Sequence, residues 1–284
     1  MNLLSMSSYR NPSSCFLPQQ SVRKTCVPYM KSAFPAEGGG AGRACQTLYL
    51  KLGIMPTMTR DEVMAKLQTH GDDKLRKINI RNGASENNFG VKMGDVRTLA
   101  KEIKLNPALA KELWETGNWE AQLLATQIMK PKELSAEEVE QLVADVPFSE
   151  TVIFSQLADW LITNVVKPHP KKEELRQKWM ASSERMLSRA GWSLTAERIT
   201  KTPEGLDVPA LLDRIEKEMP GAFQMAQWPM NYCLAEIGIN FPEYRERAIA
   251  IAEKIGAFKD YPVSKGCTSP YAPIWIDAMV SRKG

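Results

Sequence analysis

Apolar residues recur at helical spacing along most of the chain, and this periodicity is the feature that most restricts its fold. Val96, Leu99, Ala100 and Ile103 occupy positions i, i+3, i+4 and i+7, so they fall on one face of a helix. The same spacing returns in residues 248–255. No stretch alternates convincingly between polar and apolar residues, as a half-buried strand would. The pattern therefore predicts an all-α protein.

Start and stop signals divide this pattern into short helices. Residues 59–62 and 135–138 each form a capping box, and Asp207 with Pro209 marks a further helix start. Prolines and glycines between the helices give helical pairs of roughly 35 to 45 residues. Pairs of this length predict a superhelical solenoid of HEAT-like helical repeats, and the curvature of such an array creates a concave groove.

The first 57 residues differ from the rest of the chain. They contain Ser, Pro and Gly runs and no helical periodicity, so we expect residues 1–57 to be a disordered N-terminal extension and residues 58–284 to be the helical-repeat domain. Two explanations of the extension stay open. The start of the chain is wrongly assigned, with Met55 or Met58 as the true first residue, or the extension is an organelle transit peptide.

Charge is distributed unevenly between these two parts. Of the 37 basic and 33 acidic side chains, six and one respectively lie in residues 1–57, so the helical-repeat domain is nearly neutral. Bulk charge would therefore not hold a nucleic acid. Binding would require a local basic patch.

The few histidines and cysteines argue against a metal site. The chain has 2 His and 5 Cys, no two cysteines form a CxxC pair, and only Cys233 and Cys267 lie in the helical-repeat domain. We therefore expect no metal and no cofactor. Scattered cysteines are typical of a reducing compartment, and no apolar run is long enough to cross a membrane. A cytoplasmic location is expected, with no membrane partner.

Residues 148–166 predict a helix that carries very little charge. Four-residue spacing places Thr151, Ser155 and Asp159 on one face of this helix. A second face is an apolar stripe, made of Phe154, Leu157, Ala158, Leu161 and Val165. Glu150 and Asp159 are the only ionisable residues, so Asp159 is either capped or paired near a partner helix, or it faces a groove.

Three segments resemble the AlkD-like DNA alkylation repair family. Residues 88–103 contain the turn Phe89-Gly90-Val91 and the following Arg-bearing helix, which are similar to the opening signature of the family. Residues 113–125 resemble its next helical pair. Residues 230–256, with the later Cys267-Thr268-Ser269-Pro270 element, are similar to one branch of the family. The resemblance covers about residues 59–280.

This resemblance implies an all-α superhelix whose basic concave groove holds duplex DNA. Active members of the family excise N3- and N7-alkylated purines without extruding the base into a pocket, unlike most glycosylases. Because an alkylated purine is cationic, its glycosidic bond is already weak, and the enzyme has to stabilise the positive charge that develops on the sugar. A carboxylate and electron-rich aromatic faces would do this.

The resemblance also implies a catalytic arrangement, from which this chain departs. The family uses a Trp and an Asp four residues apart on one helix, an Arg on a later repeat and a second Trp. One register places Thr151 and Ser155 at the first two positions, and a register one turn later places Ser155 and Asp159 there. Neither register supplies the Trp. The Arg position falls near Thr195.

Aromatic residues complete the site that the resemblance implies. The second Trp of the family matches Tyr232, and Trp228 lies one helical turn earlier. We therefore expect Asp159 and Tyr232 to be catalytic, and Ser155, Trp192 and Trp228 to form the groove wall. The simpler interpretation of the aromatic residues is that they are buried in the core of the helical array.

Basic residues near the family motif are expected to contact DNA. Lys92, Arg97 and Lys101 lie on the helix that follows the Phe89-Gly90-Val91 turn, and Arg189 and Arg198 flank the expected Arg position. We expect these five residues to bind phosphates of duplex DNA. The alternative is that they line a solvated helix face.

Three functions stay open at this point. The first is a DNA glycosylase that hydrolyses the N-glycosidic bond of N3- or N7-alkylated purines. The second is a catalytically silent DNA-binding repeat protein, because the first Trp is missing. The third is a helical scaffold for a protein partner, which the nearly neutral domain permits. Salt-dependent DNA binding would separate the first two from the third.

Overall fold

The computed structural model describes residues 58–82, 84–148 and 155–282. From Thr59 onward the chain forms one compact unit. The predicted N-terminal extension, residues 1–57, lies outside the described residues, so its disorder and the domain boundary at residue 58 stay predictions.

The described ranges are helical and contain no strand, which confirms the predicted all-α class. The helices are α1 (Arg60–Thr69), α2 (Asp73–Arg81), α3 (Met93–Ile103), α4 (Pro107–Glu115), α5 (Trp119–Ile128), α6 (Ala136–Ala144), α7 (Gln156–Leu161), α8 (Lys172–Met180), α9 (Arg185–Lys201), α10 (Val208–Glu218), α11 (Gln224–Asn240), α12 (Arg245–Ile255) and α13 (Ala272–Ser281). None of these helices has the length and apolar character that a membrane crossing needs.

Both predicted capping boxes are present. Glu62 N–H donates to the Thr59 hydroxyl at 3.3 Å, and Thr59 N–H donates to the Glu62 carboxylate at 2.8 Å. The same reciprocal pair joins Ser135 and Glu138, at 3.1 and 2.7 Å. Since each box satisfies backbone donors that have no partner inside the helix, α1 and α6 begin where the sequence predicts.

The helices from α3 onward form two layers. In the first layer, α3 packs on α5, α5 on α7, α9 on α11, and α11 on α13. In the second layer, each even-numbered helix packs against a first-layer helix: α4 on α5, α6 on α7 and α9, α8 on α9, α10 on α11, and α12 on α11 and α13. This stacking of helical pairs is the HEAT-like superhelical solenoid that the periodicity predicts.

The Phe89-Gly90-Val91 turn is held by a buried carboxylate. Glu120, on α5, has no exposed surface, and it accepts the backbone N–H groups of Phe89, Gly90 and Val91 at 2.9, 2.8 and 3.1 Å. Gly90 has a φ of 78°, and a Cβ there would lie 2.2 Å from the carbonyl oxygen of Asp72, so only glycine fits. The most family-like motif of the chain is therefore a structural turn that sets the start of α3.

Replacing Glu120 with glutamine should destabilise the protein by about 2 kcal/mol, because the amide NH₂ would face backbone donors that then stay buried without an acceptor. The free energy of unfolding in urea measures this effect. Glu115→Gln is the matched control, since Glu115 is exposed on the neighbouring α4. Equal stability of the two variants would show that the carboxylate does not hold the turn.

The helix predicted over residues 148–166 is only partly correct. Helix α7 begins at Gln156, because Ser155 caps it by accepting the N–H of Ala158 at 3.2 Å. Phe148 is not helical, and residues 149–154, which include Thr151, lie outside the described residues. After Leu161 the backbone continues as a π-helix, Ile162–Val166, which the sequence analysis did not anticipate.

Candidate active site

Asp159 pairs with Arg189 across the first layer. Nη2 of Arg189 donates to Oδ1 of Asp159 at 2.5 Å, which connects α7 with α9. The Asp159 side chain is 44% exposed, whereas that of Arg189 is 1% exposed. Two nitrogens of the guanidinium, Nε and Nη1, are buried without a hydrogen-bond partner within the described structure. Asp159 is thus a solvent-facing carboxylate whose position is set by a buried cation.

The backbone of α9 brings Arg189 to this place. At Gly191, two residues further on, a Cβ would lie 2.9 Å from the backbone of Trp179 and from that of Met180. The missing side chain therefore allows α9 to lie directly on the end of α8. Arg189 was expected to contact DNA phosphate. Its burial and its bond to Asp159 instead fit a residue that positions this carboxylate.

An aromatic residue that the sequence analysis overlooked lies beside Asp159. Trp160 is half-buried, and the guanidinium carbon of Arg97 lies 4.8 Å from the centroid of its ring. Such a contact is a cation–π interaction between α3 and α7. The family pattern directs attention to the residue four positions before the Asp, which is Ser155. The aromatic residue of this helix is instead Trp160, which directly follows Asp159.

Ser155 and Trp192 do not occupy the places expected of groove-wall residues. The Ser155 hydroxyl is engaged as the cap of α7. Trp192 is buried in the core at 2% exposure, and Arg214 covers its ring at 5.2 Å. Both side chains support the helices that carry the Asp159–Arg189 pair, and neither presents a free face.

Tyr232 and Trp228 belong to aromatic clusters at the C-terminal end of the array. Tyr232 is stacked on Trp275 with ring centroids 5.3 Å apart, and Trp228 makes an edge contact with Phe258 at 5.3 Å. Burial and then the negative charge of Glu236 raise the pKa of the Tyr232 phenol above its usual value. Tyr232 is therefore a neutral phenol that donates a hydrogen bond to Glu236. Its catalytic role stays a prediction.

The expected phosphate-binding residues divide into two groups. Lys92, Arg97 and Lys101 are exposed on or beside α3. Arg198 is instead engaged by the protein: it forms an ion pair with Glu173 and donates to the carbonyl of Glu204 at 3.1 Å. Arg176, followed by Arg198, lowers the pKa of Glu173 to about 2. Within the described residues the α3 group forms no ion pair, although Arg97 lies over the ring of Trp160, whereas Arg198 is largely neutralised by Glu173.

A charged cluster next to Asp159 was also missed. Glu197 on α9 is almost fully buried, and its Oε1 accepts the amines of Lys172 and Lys201 at 3.2 and 2.8 Å. Lys167, directly after the π-helix, is near enough to Glu197 and Asp159 for their charges to affect its pKa. No signal in the sequence joins these residues, because they meet only when α7, α8 and α9 pack. Throughout the described ranges, no group of acidic, His and Cys side chains is arranged to hold a metal ion.

Comparisons with known proteins agree with the fold. The family model described as DNA alkylation repair enzyme matches residues 63–276. One similar solved structure is described as a new family of proteins related to the HEAT-like repeat DNA glycosylases with affinity for branched DNA structures. It is 26% identical, covers 80% of this chain and 95% of its own, and has a TM-score of 0.63. The search of curated proteins found no match. Since the family model spans most of the chain, the protein belongs to the DNA alkylation repair enzyme family.

Proposed function

We propose that the protein binds duplex DNA along the first layer and hydrolyses the N-glycosidic bond of N3- or N7-alkylated purines. The observation that carries this proposal is the solvent-facing Asp159 held by the buried Arg189. A carboxylate that is fixed in place and still accessible is the group that a developing sugar cation requires.

The reaction requires mainly electrostatic stabilisation from the protein. An N7- or N3-alkylated purine leaves as a neutral base, so no acid has to protonate it. The electron deficit remains on C1′ and the ring oxygen of the sugar, where the Asp159 carboxylate would stabilise it. The ring of Trp160, the next residue of α7, is already in contact with the Arg97 guanidinium at 4.8 Å, so the carboxylate is the group that would carry this stabilisation. Water then adds to C1′ and gives an abasic site.

The first test is base release. The full chain is incubated with duplex DNA that carries N7-methylguanine, and the free base is measured against its spontaneous loss from the same duplex. Release above the spontaneous rate supports the glycosylase proposal. Release at the spontaneous rate rejects it.

The basic residues of α3 give a second test, which concerns DNA binding. The double variant Arg97→Gln, Lys101→Gln should make the negative slope of log K against log salt shallower by about 2, since each phosphate contact contributes roughly −0.9. Lys254→Gln is the matched control, because Lys254 is exposed on the second-layer helix α12 and pairs with Glu216. A slope that the double variant leaves unchanged would remove these residues from the proposed DNA contact.

A second candidate function is binding of branched DNA without base excision. It is favoured by the description of the similar solved structure, whose proteins have affinity for branched DNA, and by the absence of the Trp that the family pattern places at Ser155. Titrations with a four-way junction and with a linear duplex of the same length, at one salt concentration, distinguish the candidates. Tighter binding of the junction, without base release, would favour the second function.

A further inference from the structure

The amine of Lys167, directly after the π-helix, is partly buried and has no carboxylate paired with it within the described structure. Its side chain is half-buried, and within the described structure its Nζ donates to no carboxylate at hydrogen-bond distance. Burial, reinforced by the nearby amines of Lys201 and Lys172, lowers the pKa of Lys167, while Glu197 and Asp159 act in the opposite direction. A larger fraction of this amine is therefore unprotonated than for an exposed lysine, and an unprotonated amine is a nucleophile.

The neighbouring acid does not neutralise Lys167. The Oε1 atom of Glu197 is already shared by Lys172 and Lys201, and its Oε2 is buried without a hydrogen-bond partner within the described ranges. Three lysines thus surround one carboxylate. Two of them pair with it, and the third stays unpaired.

The π-helix sets the direction in which Lys167 points. Lys167 follows Asp159 by eight residues, which in a regular α-helix would place it about 80° around the axis from Asp159. Lys167 N–H instead bonds the carbonyl of Ile162, five residues earlier, at 2.9 Å. This wider turn rotates Lys167 back toward the Asp159 face. Asp159 is near enough for its charge to affect the pKa of Lys167, which agrees with a helix side chain that leans toward the N-terminal turns.

We propose that Lys167 is the nucleophile of an abasic-site lyase, acting on the aldehyde that remains when a base has been lost. This inference rests on the proposed function, because that function places the sugar beside Asp159. It adds a second reaction at the same site, which cuts the DNA strand after the base has left.

The steps balance without a further reactant. The Lys167 amine attacks C1′ of the ring-opened abasic sugar, and loss of water gives an iminium ion. The Asp159 carboxylate takes the proton from C2′, and the C2′–H electrons form the C2′–C3′ double bond as the C3′–O bond breaks. The 3′ phosphate leaves with the electron pair of the broken C3′–O bond. Water then hydrolyses the iminium ion, which frees the lysine and an unsaturated aldehyde.

Borohydride trapping tests this proposal directly. A duplex with one abasic site, prepared beforehand from a uracil-containing strand, is incubated with the full chain and sodium borohydride, which reduces the iminium ion to a stable protein–DNA bond. We expect a trapped species with the wild type, and at least a tenfold smaller trapped fraction with Lys167→Arg. Lys254→Arg, at an exposed lysine on the second-layer helix α12, should trap as the wild type does.

Two outcomes would overturn the role of Lys167: no trapped species with the wild type, or equal trapping by Lys167→Arg. Lys167→Met provides a second variant with the same expectation. Removing an amine whose pKa is lowered by burial relieves a cost to the folded state that is present at neutral pH, so this variant should melt no lower than the wild type.

The abasic duplex separates this proposal from the glycosylase proposal. Trapping without release of N7-methylguanine would keep the lyase and reject the glycosylase. Base release without trapping would support the glycosylase and reject the lyase.

Discussion

Replacing Asp159 with asparagine is expected to slow release of N7-methylguanine on the order of 100-fold, with binding of the intact duplex nearly unchanged. The amide has the same shape as the carboxylate and can still meet Arg189, but it carries no charge to stabilise the sugar cation. The substitution should therefore lower the rate of base release that is measured at saturating protein. Single-turnover release and a binding titration on the same duplex measure the two quantities separately.

The chain offers a matched control for this variant. Asp213 on α10 also pairs with an arginine, Arg247 on α12, and its side chain is 69% exposed. Asp213→Asn removes the same charge from another Asp–Arg pair, so it should release the base as fast as the wild type. If Asp159→Asn releases the base at the wild-type rate as well, Asp159 is not the electrostatic group, and the silent DNA-binding function gains support.

The fold was predictable because its signals are local. A capping box such as the one at Thr59 involves residues three positions apart. The apolar spacing around Val96 likewise reports on one helix, Met93–Ile103. Each of these needs no knowledge of the rest of the chain. The π-helix at Ile162–Val166 was not predicted, because a single widened turn leaves the apolar pattern almost unchanged.

The site was only partly predictable because its contacts are not local. Asp159 could be singled out, since it is almost alone as a charge in its segment, but its partner lies 30 residues away on another helix. The family comparison placed the arginine near Thr195, which is buried and accepts a hydrogen bond from Arg176. Packing of α9 on α8 brings Arg189 to Asp159 instead. Of the two registers, one places Ser155 at the Asp position and the other places Asp159 there. Only Asp159 offers a carboxylate, and this carboxylate is bound by Arg189.

The sequence also did not predict which aromatic side chains are buried in the core and which are open to solvent. Trp192 and Trp160 are both tryptophans on first-layer helices, yet one is buried beneath Arg214 and the other lies half-open beside Asp159. Helical spacing defines which residues share a face, but only the neighbouring helices decide whether that face is covered. This is why the aromatic neighbour of Asp159 was overlooked.

Arg189→Met is expected to separate the function of the Asp159–Arg189 pair from its contribution to stability. The guanidinium gains one bond to Asp159, but it keeps two buried nitrogens without partners, and each such group costs about 1 to 3 kcal/mol. Methionine fills a similar space with no polar group to bury. Asp159 is 44% exposed and would return to water. The melting temperature of this variant should therefore equal or exceed that of the wild type.

Activity should change in the opposite direction. Without Arg189 the Asp159 carboxylate is free to rotate, so base release should slow by roughly tenfold or more, with duplex affinity unchanged. Arg189→Lys keeps a cation and should restore part of the rate, and Arg247→Met, the same change in the Asp213 pair, should leave release unaltered. A lower melting temperature combined with wild-type release would identify the pair as structural. A stable but slow variant would mean that the buried arginine is retained to hold Asp159 in place, at a cost to the stability of the fold.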